Sequence, residues 1–112
     1  MSNNPFRGAF VMRSQDHHIL TSTYFNINDQ DPYPETAKRT APGINPEDPF
    51  EGTFDTIWLE KKDHARMILK VTKSSDKPHY SMEWEYKGKL AWHGEAVKEN
   101  GILFGYYWGV ND

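Results

Sequence analysis

Alternation of apolar and polar positions with a period of two runs through the second half of the chain. Tyr80, Met82, Trp84 and Tyr86 share one face while Ser81, Glu83 and Glu85 take the other, the pattern of a half-buried strand. Lys87-Gly88 supplies a turn. Leu90, Trp92, Gly94 and Ala96 then continue the apolar face opposite Ala91, His93 and Glu95. Asn100-Gly101 follows, and this pair suits a type I′ hairpin, whose two central residues need positive φ. The last run divides into Ile102, Phe104, Tyr106 and Trp108 on one side and Leu103, Gly105, Tyr107 and Gly109 on the other. The first set, being bulkier and more apolar, is assigned inward. These are three consecutive antiparallel strands.

Upstream, extended runs near 6–13, 18–26, 50–60 and 66–73 bring the total to seven. Helical periodicity of useful length is absent, apart from one or two turns around Glu35–Arg39. That stretch lies in a segment, 27–49, which holds five of the seven prolines (Pro32, Pro34, Pro42, Pro46, Pro49). Long connections in small domains are uncommon and often functional, and proline restricts the freedom of such a segment. The segment is therefore expected to be an ordered lid. In an unrolled meander it shares an end with the connections at 74–78 and 98–101, so that end is expected to be the mouth, with Tyr33 reaching over it. A repeat also stands out: Pro5-Phe6-Arg7-Gly8-Ala9-Phe10 returns as Pro49-Phe50-Glu51-Gly52-Thr53-Phe54, each copy followed later by an Asp-His pair (Asp16-His17, Asp63-His64). Repeats of this length are supersecondary units, here a strand, a turn and a return strand.

Many short strands with short turns predict an all-β fold, either a sandwich or a barrel. A small up-and-down antiparallel barrel of about seven or eight strands, with one long Pro-rich loop, fits best. Glycines within strands mark sharp bends, and pairing the last strand with the first removes two exposed edges. With Gly8-Ala9-Phe10 and Gly52-Thr53-Phe54 at strand starts, Leu90-Ala91-Trp92-His93-Gly94, and Gly101-Ile102-Leu103-Phe104-Gly105-Tyr106, the chain resembles the calycin superfamily, the meander barrels of lipocalins and avidin-like proteins. The opening Gly-x-Trp of lipocalins is replaced, with Phe10 at the Trp position, and avidin's polar biotin-reading set is missing. The resemblance implies a barrel whose interior or mouth holds a small hydrophobic molecule, with no ligand identity carried over.

Composition narrows the options. The chain of 112 residues fits one domain, 1–112; it is 37% hydrophobic and 14% aromatic, with four Trp, six Tyr and six Phe, so a few large groups must close its core. A net charge of −3 and the lack of a basic patch argue against a nucleic-acid partner. The absence of cysteine excludes disulfides, thiol catalysis and thiolate metal sites. No apolar run is long enough to span a membrane, and the N-terminus has no secretory pattern, so a cytoplasmic protein is expected.

The candidate chemistry is aromatic. Trp58, Trp84, Trp92 and Trp108 fall on the apolar faces of their strands, joined by Tyr80 and Tyr106. They read either as packing or as an aromatic-walled pocket whose indole and phenol groups orient a ligand. On the other face stand Glu83, Glu85, His93, Glu95 and Tyr107, with Asp55 on a separate strand. Glu83 and Glu85 lie about 7 Å apart by strand rise, a spacing open to acid–base work, but the alternation points them to solvent. In an unrolled meander the two Asp-His turns share one end, where the pairs could converge, but these residues are common in turns and follow no metal-ligand spacing; no metal and no cofactor are expected. The function expected is non-catalytic binding of a small, partly apolar molecule by Trp58, Trp84, Trp92, Trp108, Tyr80, Tyr106 and Tyr33, with no catalytic residue assigned. An isomerase- or cyclase-type barrel enzyme and a filled barrel for assembly are the alternatives. Val11, Ile19, Phe25, Ile57, Leu59 and Ile68 project outward from the first four of the seven strands. A contiguous apolar patch there exceeds what lone proteins usually expose and predicts a homodimer or a higher even-numbered oligomer.

Overall fold

A computed structural model describes residues 6–75 and 78–110. Eight strands follow one another: β1 (Phe6–Ser14), β2 (Ile19–Asn26), β3 (Pro32–Pro42), β4 (Gly52–Glu60), β5 (Asp63–Lys73), β6 (His79–Tyr86), β7 (Lys89–Glu99) and β8 (Ile102–Gly109). Each pairs antiparallel with the next, and β8 closes on β1, from Arg13↔Ile102 to Phe6↔Trp108. The all-β meander barrel expected from the alternation is present, with no helix among the described residues. None is therefore long and apolar enough to cross a membrane.

The turns obey the residues that make them. Asn100 and Gly101 have φ of 53° and 77°, as the type I′ hairpin requires, and Lys87-Gly88 repeats the pattern at 51° and 82°. Inward positions alternate along each strand: Phe10 and Met12 on β1, Leu20 and Tyr24 on β2, Phe54 on β4, Leu69 and Val71 on β5, Tyr80, Met82 and Trp84 on β6. Glu83 and Glu85 point outward, and Glu85 pairs with Lys70 at 3.0 Å.

Four expectations are corrected. The segment 27–49 is not a loop: its middle is β3, with Tyr33, Glu35 and Ala37 buried and Pro34, Thr36 and Lys38 exposed. Pro32 and Pro34 are tolerated because that end of β3 pairs only with β2. Pro42, at the other end, pairs only with β4; a missing N–H costs least where a flank is open. Second, β8 has the opposite phase. Leu103 and Tyr107 are buried, while Phe104 and Tyr106 are exposed and Trp108 stacks on His93 across the outer wall, ring centroids 5.6 Å apart. The reason is steric: Gly105 faces inward because a Cβ there would stand 2.6 Å from the Phe10 ring and 2.3 Å from the Glu95 carbonyl. Third, the repeated Phe-x-Gly-x-Phe segments head β1 and β4, which run in opposite directions. The Asp-His pairs therefore sit at opposite ends and do not converge, and no metal-holding cluster occurs among the described residues. Fourth, the outer apolar groups do point outward, but β3 stands between β2 and β4. Its exposed Thr36 and Lys38 separate Phe25 and Val11 from Ile57, Leu59 and Ile68.

The two ends of the barrel differ. One carries the turns after β1, β3, β5 and β7 and is plugged by residues 43–51. Phe50 packs edge-on to Tyr80, and the buried Asp48 carboxylate accepts hydrogen bonds from the Phe50 N–H (2.9 Å) and the Tyr80 hydroxyl (2.8 Å). The Arg39 guanidinium lies 4.9 Å over the Phe54 ring and donates to the carbonyls of His17, Asp48, Pro49 and Glu51. This fork fastens the plug to the turn between β1 and β2, using the planar array of donors that distinguishes arginine. The mouth is therefore at the end opposite the connections at 74–78 and 98–101, and of the expected lid Ile27, Asn28 and Asp29 border it.

Candidate functional site

The open end holds a cavity of about 440 Å³ between the upper strands and the β2–β3 connection. Its walls grow directly from the inward alternation. Tyr24 comes from β2, Trp58 from β4, Trp84 from β6, Trp92 from β7 and Tyr107 from β8, with Phe10 beneath. The rings meet edge to face: Tyr24 with Trp58 at 6.3 Å and 80°, Trp92 with Tyr107 at 5.8 Å and 81°. This arrangement places positive ring edges against negative faces.

Of the seven residues expected at the site, Trp58, Trp84 and Trp92 line this cavity. Tyr80 is buried at the plugged end and Tyr33 inside β3, its ring 5.8 Å from Tyr24. Tyr33 does not cover the mouth; it gives its hydroxyl proton to Asp29, a bond that pushes its pKa up to about 12. Trp108 and Tyr106 lie on the outer wall, removed from the interior by the phase of β8. Tyr107, assigned outward with the carboxylates, is instead part of the cavity.

The residue that sequence reasoning passed over is Glu35. It is 6% exposed and lines the cavity between the aromatic walls. Its Oε2 accepts from the Thr56 hydroxyl at 2.6 Å and the Trp84 indole N–H at 2.9 Å, while Oε1 takes no hydrogen bond from a described residue. Burial pushes its carboxyl above the ordinary carboxylate range, and the bonds from Thr56 and Trp84 oppose that rise. Facing it in register on β2, the buried Ser22 hydroxyl has no partner among the described residues. A signal for Glu35 existed in the alternation of Tyr33, Glu35, Ala37 and Arg39 against Pro34, Thr36 and Lys38, hidden by the prolines around it.

Nearer the rim, Glu60 Oε2 accepts from the Tyr24 hydroxyl at 2.7 Å and the Asn26 amide at 3.2 Å. Tyr107 donates to the Asn26 side chain. Burial and the Glu60 charge raise both Tyr24 and Tyr107, so these phenols stay neutral. Arg7 lays its guanidinium over the Trp92 ring at 5.5 Å. The arrangement offers flat apolar walls, neutral hydroxyl and indole donors already engaged, and one buried carboxyl with a free oxygen. No family model, curated protein or solved structure matches the chain.

Proposed function

We propose that this calycin-like barrel binds a small, partly apolar molecule through its open end and does not transform it. The observation that carries the reading is the cavity. Its volume of about 440 Å³ falls within the usual range for small-molecule sites, and apolar walls with a few convergent polar groups are the usual composition. A barrel filled from end to end, as an assembly role would allow, has no such space. Only the half nearer the plug is packed solid, by Met12, Leu20, Phe54, Leu69, Met82 and Leu103.

The neutral fluorescent probe N-phenyl-1-naphthylamine tests this reading. Saturable uptake is expected, with affinity falling about tenfold in Trp92→Ala, roughly the loss of one good aromatic contact. Absence of saturable uptake would overturn the reading. Native mass spectrometry of protein taken from its source cells reads the natural occupant directly. One observation favours a second reading: a buried carboxyl beside a cavity, its pKa raised by burial, is also what a general acid requires. In an isomerase- or cyclase-type enzyme Glu35 would hold and return the proton, and Glu35→Gln would then abolish turnover of the extracted molecule.

A further inference from the structure

We infer that the occupant is an organic cation, an amine carried on a small aromatic body, with its ammonium group seated against the free oxygen of Glu35. The inference rests on reading the cavity as a ligand site. Four observations lead to it.

The first is the sign of the lining. Glu35, Glu60 and Asp29 face the cavity against Arg7 alone, and none of the three carboxyl groups makes an ion pair with a described residue. Their partners are neutral donors: Thr56 and Trp84 for Glu35, Tyr24 and Asn26 for Glu60, Tyr33 and the Asp31 N–H for Asp29. The second is the wall. Tryptophan faces attract cations more strongly than other rings, and cages of such rings around one carboxylate are suited to ammonium groups. The third is Arg7, whose guanidinium already rests on Trp92, so one wall of the cavity carries a cation in the structure itself. The fourth is Glu35 Oε1, an unpartnered oxygen on a carboxyl that is almost wholly buried and lines the cavity. An anionic ligand meets three carboxyl groups there. A neutral one gains nothing from the negative excess of the lining.

Charge balance sets the pH dependence. In the empty barrel burial favours the protonated form of Glu35. An ammonium group favours the ionised form, so binding expels a proton, and affinity rises as pH rises through the folded pKa of Glu35. The groups facing Glu35 do not reverse this sign. Tyr24 on β2 and Tyr107 on β8 are raised and stay neutral. Thr56 on β4 and Trp84 on β6 hold Oε2 in either state, and Trp92 on β7 lines the same cavity. Asp29, held below the ordinary carboxylate range chiefly by the Tyr33 hydrogen bond, and Glu60 face the same cavity and favour the cation, while Arg7 on β1 opposes it from the rim.

Isothermal calorimetry with 2-phenylethylamine, 2-phenylethanol and 3-phenylpropionate tests the inference, because the three probes share a ring and differ in charge. The amine should bind at least about tenfold tighter than the alcohol, as expected for a charge-assisted bond. The carboxylate should bind weakest. Amine affinity should rise with pH above the ordinary glutamate value of about 4.3 and level off past the folded pKa of Glu35, with a heat that depends on the buffer as a proton is released. Glu35→Gln, which keeps an acceptor for Thr56 and Trp84, should erase both the preference and the pH slope. Equal binding of amine and alcohol, preference for the carboxylate, or a pH-independent amine affinity in the unaltered protein would overturn the cation while leaving the cavity as a ligand site. Failure of all three probes to bind would overturn both. The pH profile of the unaltered chain keeps the test decisive even if the variant does not fold.

Discussion

Glu35 shows how one residue sets the terms of a site. A carboxyl buried among aromatic rings is disfavoured in its charged form, and Thr56 and Trp84 offset only part of that penalty. Its folded pKa therefore stands above its unfolded value, which for glutamate is about 4.3. Between the two values the folded chain holds more protons than the unfolded one, so stability falls as pH rises through that window. Each unit of elevation is equivalent to about 1.4 kcal/mol. Glu35→Gln has no such titration. Its stability relative to the unaltered chain should improve as pH rises above about 4.3 and level off once pH passes the folded pKa of Glu35, as read by urea unfolding at each pH. Parallel curves for the two proteins would mean that Glu35 is solvated in the folded state.

At the scale of strands, the sequence was most legible where inward and outward faces differ in polarity. Tyr80, Met82 and Trp84 against Ser81, Glu83 and Glu85 gave β6 its phase, and Asn100-Gly101 gave the hairpin between β7 and β8. β3 was illegible because its inward face includes Glu35 and Arg39, polar side chains satisfied only by distant partners such as Trp84 and the carbonyls of 48–51. Its prolines read as loop because the open flanks that tolerate them belong to the barrel and not to the local chain. β8 failed differently: both faces are aromatic, and the choice between them is made by Phe10, on the strand it joins. Three of the five aromatic wall residues, Trp58, Trp84 and Trp92, were accordingly visible, while Tyr24, Tyr107 and Glu35 were not. The close fit at Gly105 supports a direct test. Gly105→Ala must displace Phe10 or the Glu95 backbone, and overpacking of this kind costs about 1–3 kcal/mol. Denaturant midpoints should fall accordingly, whereas an unchanged midpoint would show that the β7–β8 wall yields freely.

Across the whole molecule, β3 changes what the outer surface can do. The expected two-fold contact depended on six apolar groups forming one patch, and β3 divides them into a pair of smaller areas. A smaller row survives where Val97, Phe104 and Val11 stand opposite one another on β7, β8 and β1, beside Tyr106 and Phe25 across Ala9. Self-association should therefore be weak. Sedimentation velocity across the micromolar range should show exchange between a species near 13.1 kDa and its dimer, and a dimer persisting at the lowest concentrations would contradict this.

The closure of β8 on β1 has a kinetic meaning. Seven of the eight ladders join neighbours in sequence and can zip locally. The eighth joins the first strand to the last, and bringing such distant segments together costs about 4 kcal/mol of chain entropy beyond a constant. This joint is the seam of the barrel, the ladder whose closure carries the largest cost in chain entropy. Arg7 and Phe10 stand on one side of it and Tyr107 on the other, all three bordering the cavity. A molecule bound there would touch both sides and act as a clasp, slowing the parting of the seam for as long as it stays bound.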